Sequence, residues 1–292
     1  MSKGLLDPKV DFVFKNIFGS PNHPEILISF LNATLKAKKK IVNVDIKKTD
    51  IEKQYIEDKY SRLDVKATTS NDEIINIEIQ LKNENNMVKR SLYYLSKMYE
   101  EQLNEKEDYS KLVRTVCINI LNFKYLKTDN FHTGYRFKEI ESNEELTDIM
   151  EVHFIEIPKL QDSSDEKDML VAWTEFLKDP ESEKVRGLEL SIEEIRQAKD
   201  ELIRMSNDST QRELYDMRAN SLRDKMSELN AAERKGIEKG REEGREEGRK
   251  EGIEEGRKEE KIKIARNMKL SGLDTNTIAK ITNLSEGEIN KL

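Results

Sequence analysis

The sequence predicts an α/β fold, with a core of mixed β-sheet flanked by helices and a mainly helical C-terminal region. Three observations predict it. Two amphipathic segments open the chain, and segments with the two-residue period of strands then fill most of residues 41–158, interrupted by one helical segment. Beyond Pro158 the pattern is helical or polar throughout. The strands therefore belong to one compact region, and a second, less compact region follows.

The elements follow in a definite order. DPKVDFVFKNIFGS (7–20) predicts a helix stopped by Gly19, and HPEILISFLNATL (23–35) predicts a second helix. Three strands of a meander come next: IVNVDIKKTDIE (41–52), SRLDVKATT (61–69) and EIINIEIQL (73–81). NMVKRSLYYLSKMYEEQL (86–103) returns to helical spacing. The later strands are LVRTVCINIL (112–121), YRFKEI (135–140) and IMEVHFIEIP (149–158).

Composition limits the possible functions. The chain has 292 residues, 36% of them apolar and 37% charged, and its net charge is -7, so any DNA contact must use local basic patches. The single cysteine, Cys117, excludes an intramolecular disulfide and fits a reducing cytoplasm; we expect it to be a buried thiol. The three histidines show no ligand spacing, and we place His132 and His153 at surface or strand positions. No apolar run approaches the roughly 20 residues of a membrane span, which favours a cytoplasmic protein without a membrane partner.

The hairpin formed by the second and third strands raises a question about its polar side chains. The apolar side chains of the two strands share one face only if the residue numbers of each cross-strand pair add to an even value. Thr69 opposite Glu73, around a three-residue loop, is one such register. That register brings Asp64 opposite Glu78, with Gln80 and Lys66 on the same face. The polar face therefore carries two carboxylates within reach of each other.

Two interpretations of this pair remain open. Opposed carboxylates repel each other, which disfavours folding unless a cation bridges them, and Mg²⁺ prefers such hard oxygen ligands. A solvated sheet face that carries these charges by chance is the alternative. The pattern of the hairpin alone does not decide between a metal site and a surface.

The order of elements adds a resemblance. An acid on one strand, Glu-x-Gln on the next, then a helix and a further strand resemble the PD-(D/E)XK nuclease superfamily. More closely, DFVFKNIFGS, LDVKATTSNDEIINIEIQ, KRSLYYLSKMYEEQL and the Glu-Gly-Arg tail resemble the Rpn family of recombination-promoting nucleases, also described as transposases. The resemblance covers residues from about 5 to 230 and the tail. It implies a restriction-endonuclease-like core.

The resemblance also implies residue roles. Asp64 and Glu78 would be metal ligands, and the main-chain carbonyl of Ile79 would be a third ligand. Asp11 would be a further acid from the first helix, although an ordinary charge in the first turn of that helix is an equal alternative. The implied cofactor is Mg²⁺, with Mn²⁺ as a possible substitute. Gln80 stands where the superfamily most often has lysine, so it can orient water but carries no charge.

The positive charge that a lysine would supply at this position must then come from another side chain. Four basic side chains are candidates: Lys66 on the same face, Lys82 just beyond it, and Arg90 or Lys97 on the following helix. The spacing of Arg90, Tyr93, Tyr94 and Lys97 places these four residues on one face of that helix. Core packing is the favoured role for the two tyrosines.

The C-terminal region contains two further signals. Glycine recurs every fourth residue from Gly236 to Gly256, which is typical either of a charged, half-formed spacer or of a self-association helix. Residues after 262 resemble a helix-turn-helix, but Lys291 is the only base of its last helix, so we favour protein contact or dimer packing over DNA reading. We divide the chain into a nuclease core (1–160), a helical extension (161–232), the repeat (233–262) and a C-terminal unit (263–292).

The favoured function is a metal-dependent DNA endonuclease that hydrolyses phosphodiester bonds, with roles in recombination, mobile elements or defence. Its expected partners are DNA and further copies of the chain, as a homodimer or higher homo-oligomer assembled through the C-terminal region. The alternatives are a catalytically inactive DNA- or protein-binding module and a transposase with strand-transfer activity.

Overall fold

A computed structural model describes residues 4–36, 39–47, 64–165 and 167–292 of the chain. Parts of the first and second predicted strands, after residue 47 and before residue 64, lie outside these ranges. Within the described ranges, no helix has both the length and the apolar character needed to cross a membrane. The chain divides into two compact units, residues 1–222 and 223–292.

The first unit contains a mixed sheet of six strands in the order β1-β2-β3-β4-β6-β5. The strands are β1 (Val44–Lys47), β2 (Val65–Thr69), β3 (Ile74–Gln80), β4 (Thr115–Leu121), β5 (His132–Lys138) and β6 (Glu145–Glu156). β1, β2 and β3 form the predicted antiparallel meander, whereas β3, β4 and β6 run parallel and β5 is antiparallel to β6. β4 is buried along its whole length, as expected of a strand between two parallel neighbours.

One face of the sheet is covered by α1 (Asp11–Phe18), α2 (Pro24–Leu35), α4 (Met169–Lys178), α5 (Glu183–Glu189) and α6 (Glu193–Asn207). Phe14 and Phe18 stack at 4.6 Å between ring centroids, and Phe18 meets the Trp173 ring edge-on at 5.3 Å. Helices that precede the strands in the sequence and helices that follow them thus bury their apolar faces in one cluster with β2 and β3. As predicted, α1 stops at Gly19, whose N–H donates to the Lys15 carbonyl.

The opposite face of β3 and β4 is covered by α3 (Met87–Glu100). Four small polar or thiol side chains are buried here: Asn76, Ser91, Cys117 and Asn119. Ser91 Oγ donates to Asn119 Oδ1 at 2.8 Å, and Asn119 Nδ2 donates to the His153 carbonyl at 3.1 Å. These bonds fix α3 against the sheet, and they show that this face is not the solvated surface considered above. Cys117 is buried as expected.

A second group of charges lies on the first unit near the start of β4. The Arg114 guanidinium pairs with Glu73 and with Glu151, and both of these carboxylates are buried. Glu151 also accepts from His153 Nε2 at 2.8 Å, and His153 Nδ1 is 2.9 Å from His132 Nε2. Both histidines are strand residues, but His153 is buried rather than at the surface, because Glu151 supplies a partner for its ring.

The second unit is helical. α7 (Ser209–Leu270) includes the whole glycine repeat, so the half-formed spacer is not observed; Glu, Lys and Arg between the glycines are good helix formers, and Lys239 pairs with Glu243 at 3.6 Å. α8 (Thr275–Thr282) begins at Asp274, whose side chain accepts from the Thr277 N–H. α9 (Glu286–Asn290) begins with a capping box formed by Ser285 and Glu288. Buried Ala265, Ile278, Leu284 and Ile289 hold these helices together.

Candidate active site

The hairpin has the predicted register. Val65 pairs with Ile77 and Thr68 with Ile74, and the Thr69 N–H donates to the Glu73 carbonyl at 2.9 Å. The intervening loop has three residues, and Asp72 at its end has φ 60°, the left-handed conformation that three-residue hairpin loops require. Continued by one residue beyond Val65, this register sets Asp64 opposite Glu78 as the sequence predicts.

Asp64 is a buried carboxylate at the start of β2, with 7% of its surface exposed. Its Oδ2 accepts a hydrogen bond from the Ile79 N–H at 2.7 Å. Burial raises the pKa of Asp64 to about 8, and the nearby charge of Glu78 adds to this rise, while the bond from Ile79 opposes it. The fold thus holds Asp64 where its ionised form is costly in the absence of a cation.

Glu78 is buried even more completely, with 1% of its surface exposed. Its Oε2 lies 3.0 Å from Arg90 Nη2, whereas its Oε1 has no hydrogen-bond partner. Burial raises the pKa of Glu78, and the Arg90 charge opposes that rise. A buried carboxylate oxygen without a partner is uncommon and indicates that a group bound here would complete the site.

Gln80 and Arg90 lie beside this pair. Arg90 Nη1 is 3.5 Å from Gln80 Oε1, and the guanidinium lies 5.4 Å from the centre of the Tyr94 ring. The structure therefore brings Arg90 to the carboxylates from α3, one of the positions considered from the sequence. Tyr94 is buried against Ile74, as core packing predicts, but Tyr93 is half exposed.

Two other predicted cations point away from the carboxylate pair. Lys66 Nζ lies 3.8 Å from Glu101 Oε2, and Lys97 lies 3.6 Å from Glu100 and 3.7 Å from Glu101. Both charges are therefore directed to the C-terminal end of α3, whereas Arg90 is near its N-terminal end. Lys97 does not join Arg90 in contacting Glu78, because it pairs with the acids one turn further along the helix. Lys82 follows β3 by two residues.

The first helix contributes to the electrostatics of the site. Asp11 begins α1 and pairs with Arg218 Nη1 at 2.9 Å, and its charge adds to the rise in the pKa of Asp64. The charge of Lys15, one turn further along α1, lowers the pKa of both Asp64 and Glu78 and so opposes the rise in pKa that burial causes. Sequence reasoning missed Lys15, although the i, i+4 spacing of DFVFK could have identified it once Asp11 was considered.

The donor set fits a hard divalent cation. Two buried carboxylates converge from adjacent strands, one of their oxygens lacks a partner, and oxygen ligands of this kind suit Mg²⁺ or Mn²⁺. Among the residues that the structure describes, no cluster of three or more His, Cys, Asp and Glu side chains could hold a metal. Any further ligands to a cation here would have to be main-chain oxygens, water or substrate, which is the usual situation for Mg²⁺.

A mixed sheet whose adjacent strands bring an acid and a Glu-x-Gln together under a crossing helix defines a nuclease core of the restriction-endonuclease-like class. Residues 8–232, more than half of the chain, match the family described as PD-(D/E)XK nuclease family transposase, and the chain belongs to that family. Residues 258–292 match the C-terminal helix-turn-helix domain of the Rpn/YhgA-like nuclease family. The predicted Rpn-type relationship is thereby confirmed.

The second match changes one interpretation. The helix-turn-helix layout is as predicted, but a domain of this type suggests DNA binding, whereas the sequence favoured protein contact. Bases from the end of α7 and from α8 also belong to the unit, so the acids of α9 do not by themselves argue against DNA contact. Among curated proteins, and equally among solved structures, no match reaches significance.

Proposed function

We propose that the protein is a metal-dependent DNA endonuclease that hydrolyses phosphodiester bonds. The observation that carries the proposal is the burial of Asp64 and Glu78 opposite each other, with Glu78 Oε1 left without a partner. A structural role for such a pair is unfavourable, because each carboxylate makes ionisation of the other harder. Membership of a nuclease family supplies the class of chemistry.

Each residue then has a distinct task. Asp64 and Glu78 would hold Mg²⁺ or Mn²⁺, with the Ile79 carbonyl as a third ligand and Asp11 as a further acid. The cation would supply charge stabilisation at the scissile phosphate and a water activated for attack. Gln80 would orient that water by hydrogen bonding, and Arg90 would hold Glu78 in place through their 3.0 Å contact. Lys66, bound to Glu101, remains a candidate for contact with DNA further along the hairpin.

The remaining functional assignments are proposals of the same kind. The helix-turn-helix unit would bring DNA to the nuclease core, and α7 would let two or more copies associate through the C-terminal region. Recombination, mobile-element activity and defence against foreign DNA are all compatible with a nuclease of this family. A cytoplasmic location stays a prediction.

Cleavage of supercoiled plasmid by the purified full chain tests the proposal. We expect nicked and linear DNA with Mg²⁺ or Mn²⁺, and intact plasmid with EDTA or with Ca²⁺, which commonly supports binding without the geometry that Mg²⁺ chemistry demands. Removing the metal should lower the rate by at least about 100-fold, in keeping with the several kcal/mol that a metal supplies to the transition state. Equal cleavage with EDTA and Mg²⁺ would contradict the proposal.

The same assay separates the two alternatives. An inactive binding module predicts DNA binding without cleavage in any metal, and the neutral Gln80 is the observation that favours it. A transposase predicts strand-transfer products that join donor ends to target DNA, so the products must be examined for new junctions as well as for breaks.

A further inference from the structure

An apolar groove lies beside α3, on the sheet face that also carries the candidate active site. Its volume is about 250 Å³, and side chains of α3, β5, β6 and the segment after β4 line it: Val88, Leu92, Leu126, Tyr135, Val152 and Phe154. Val88 is 42% exposed, Leu92 48% and Tyr135 49%. Neighbouring apolar side chains that are this open to solvent commonly mark a binding site.

The groove and the carboxylates lie in one row across the sheet. Glu78 pairs with Asn119 of β4, and Asn119 pairs with Phe154 of β6, so the three side chains point to the same face. Glu78 and Phe154 are thus two strand spacings apart, about 10 Å. α3 crosses the row between them, since Ser91 donates to Asn119 at 2.8 Å. A ligand that lies in the groove and continues over α3 therefore reaches the candidate active site.

A buried ion pair fixes one wall of the groove. Glu156 is fully buried, and its Oε1 accepts hydrogen bonds from the N–H groups of Tyr125 and Leu126. Its Oε2 pairs with Lys159 at 2.7 Å. Lys159 Nζ in turn donates to the carbonyls of Leu126 and Thr128, at 2.7 and 2.6 Å. The main chain on both sides of Leu126 is therefore held in place, and this wall of the groove is preformed.

Lysines stand beside these apolar side chains. Lys89 lies in the first turn of α3, Lys124 and Lys127 lie on either side of Leu126, and all three are exposed. Asp129 is the one acid in the segment between β4 and β5. In a chain with a net charge of -7, such a local excess of bases favours an anionic ligand. A protein partner that covered apolar surface alone would not need it.

Single-stranded DNA matches this combination of side chains. Its unpaired bases stack on aromatic and apolar groups while its phosphates meet basic ones. The Tyr135 ring packs edge-on against Phe154, at 6.1 Å between centroids, and is still half exposed, so it is both held in place and accessible. The bases of an intact duplex are already stacked on each other, so a duplex could not use the apolar floor.

We propose that the groove binds unpaired bases of single-stranded DNA beside the phosphodiester that the carboxylates hydrolyse. The inference rests on the proposed function and names its preferred substrate, which is DNA with a single-stranded segment next to the scissile bond. A base stacks on the Tyr135 ring, with Val88 and Leu92 of α3 opposite. The groove is smaller than the roughly 300–1,000 Å³ of sites for drug-sized ligands, which suits a single base.

Binding of the full chain to labelled oligo(dT) and to a blunt duplex of equal length, both in Ca²⁺, tests the proposal. Tyr135→Ala should weaken oligo(dT) binding by about tenfold or more, the usual cost of losing one stacked base, and leave duplex affinity within about twofold of wild type. Tyr135→Phe keeps the ring and should bind as wild type. Phe137→Ala should also bind as wild type, because Phe137 is equally exposed on the same strand but does not line the groove.

The lysines and the cleavage reaction give two further readouts. Lys127→Met should reduce the slope of log K against log salt for oligo(dT) by about 0.7, the value for one phosphate contact to a single strand. With Mn²⁺, wild type should cut a duplex that carries a single-stranded tail faster than a blunt duplex. Tyr135→Ala should remove this preference.

Failure of the proposed function and failure of the groove give different results. If wild type cleaves no DNA but Tyr135→Ala still weakens oligo(dT) binding selectively, the nuclease function fails and the groove is supported. Equal oligo(dT) binding by wild type, Tyr135→Ala and Phe137→Ala overturns the proposal. So does a shift from dimer to monomer in sedimentation of Tyr135→Ala with unchanged DNA binding, since that result assigns the groove to a second copy of the chain.

Discussion

Replacing Asp64 with asparagine should abolish cleavage and leave the fold at least as stable. Asparagine keeps the shape of the side chain and an oxygen that can accept from the Ile79 N–H, but it removes the charge that a cation needs. We expect a loss of about 1,000-fold or more in the rate of plasmid cleavage, corresponding to about 4 kcal/mol of transition-state stabilisation.

The stability of this variant is the informative control. In the absence of metal, Asp64→Asn removes the cost of burying an ionisable carboxyl group and also the repulsion by Glu78, so it should not lower the midpoint of thermal unfolding. Asp64→Ala is a poorer choice, because it leaves the buried Ile79 N–H without an acceptor, a loss that typically costs about 1–3 kcal/mol. An Asp64→Asn protein that cleaves at the wild-type rate would rule out the site.

Replacing Arg114 with methionine should destabilise the first unit more than any change at the candidate active site. Arg114 neutralises both Glu73 and Glu151, and the exposed fractions of these two carboxylates are 6% and 3%. Removing one partner of a buried ion pair leaves uncompensated charge and typically costs about 3–5 kcal/mol. We expect a fall of about 3 kcal/mol in the free energy of unfolding, measured by urea denaturation at pH 7.

The pH dependence of this loss tests its cause. Burial alone would raise the pKa of Glu151, but hydrogen bonds from His153 and Arg114 lower it to about 2. A lowered pKa means that the stabilisation is complete above the ordinary value of 4.5 and is lost as the pH falls towards 2. The difference between wild type and Arg114→Met should therefore shrink below pH 4.5. Arg136→Met, which removes a more exposed partner of Glu151, should cost less; an equal cost would contradict this account.

The register of the hairpin could be predicted because residues close together in the sequence determine it. The two-residue period of apolar side chains on both strands allows one register that buries both sets, and that register alone sets Asp64 opposite Glu78. The short loop is equally local, since Asp72 tolerates the left-handed conformation that the turn needs. The fold class followed from the same periodicity, supported by the family resemblance.

The partners of these carboxylates were harder to predict. Arg90 was one of several cations within reach, and only the packing of α3 through Ser91 and Asn119 shows that it meets Glu78 while Lys97 does not. Lys15 was missed because α1 and the hairpin are separated by a long stretch of sequence and meet through the apolar core. Propensity was also overridden in α7, where repeated glycines do not interrupt the helix.

The central claim is that Asp64 and Glu78 together bind the divalent cation on which cleavage depends. Thermal unfolding of the full chain with and without Mn²⁺, for wild type and Asp64→Asn in the absence of DNA, tests it most directly, because a ligand that binds only the folded state raises its stability. The account predicts that Mn²⁺ raises the unfolding midpoint of wild type and leaves that of Asp64→Asn unchanged. An equal rise in both proteins, or no rise in wild type at saturating Mn²⁺, would contradict it.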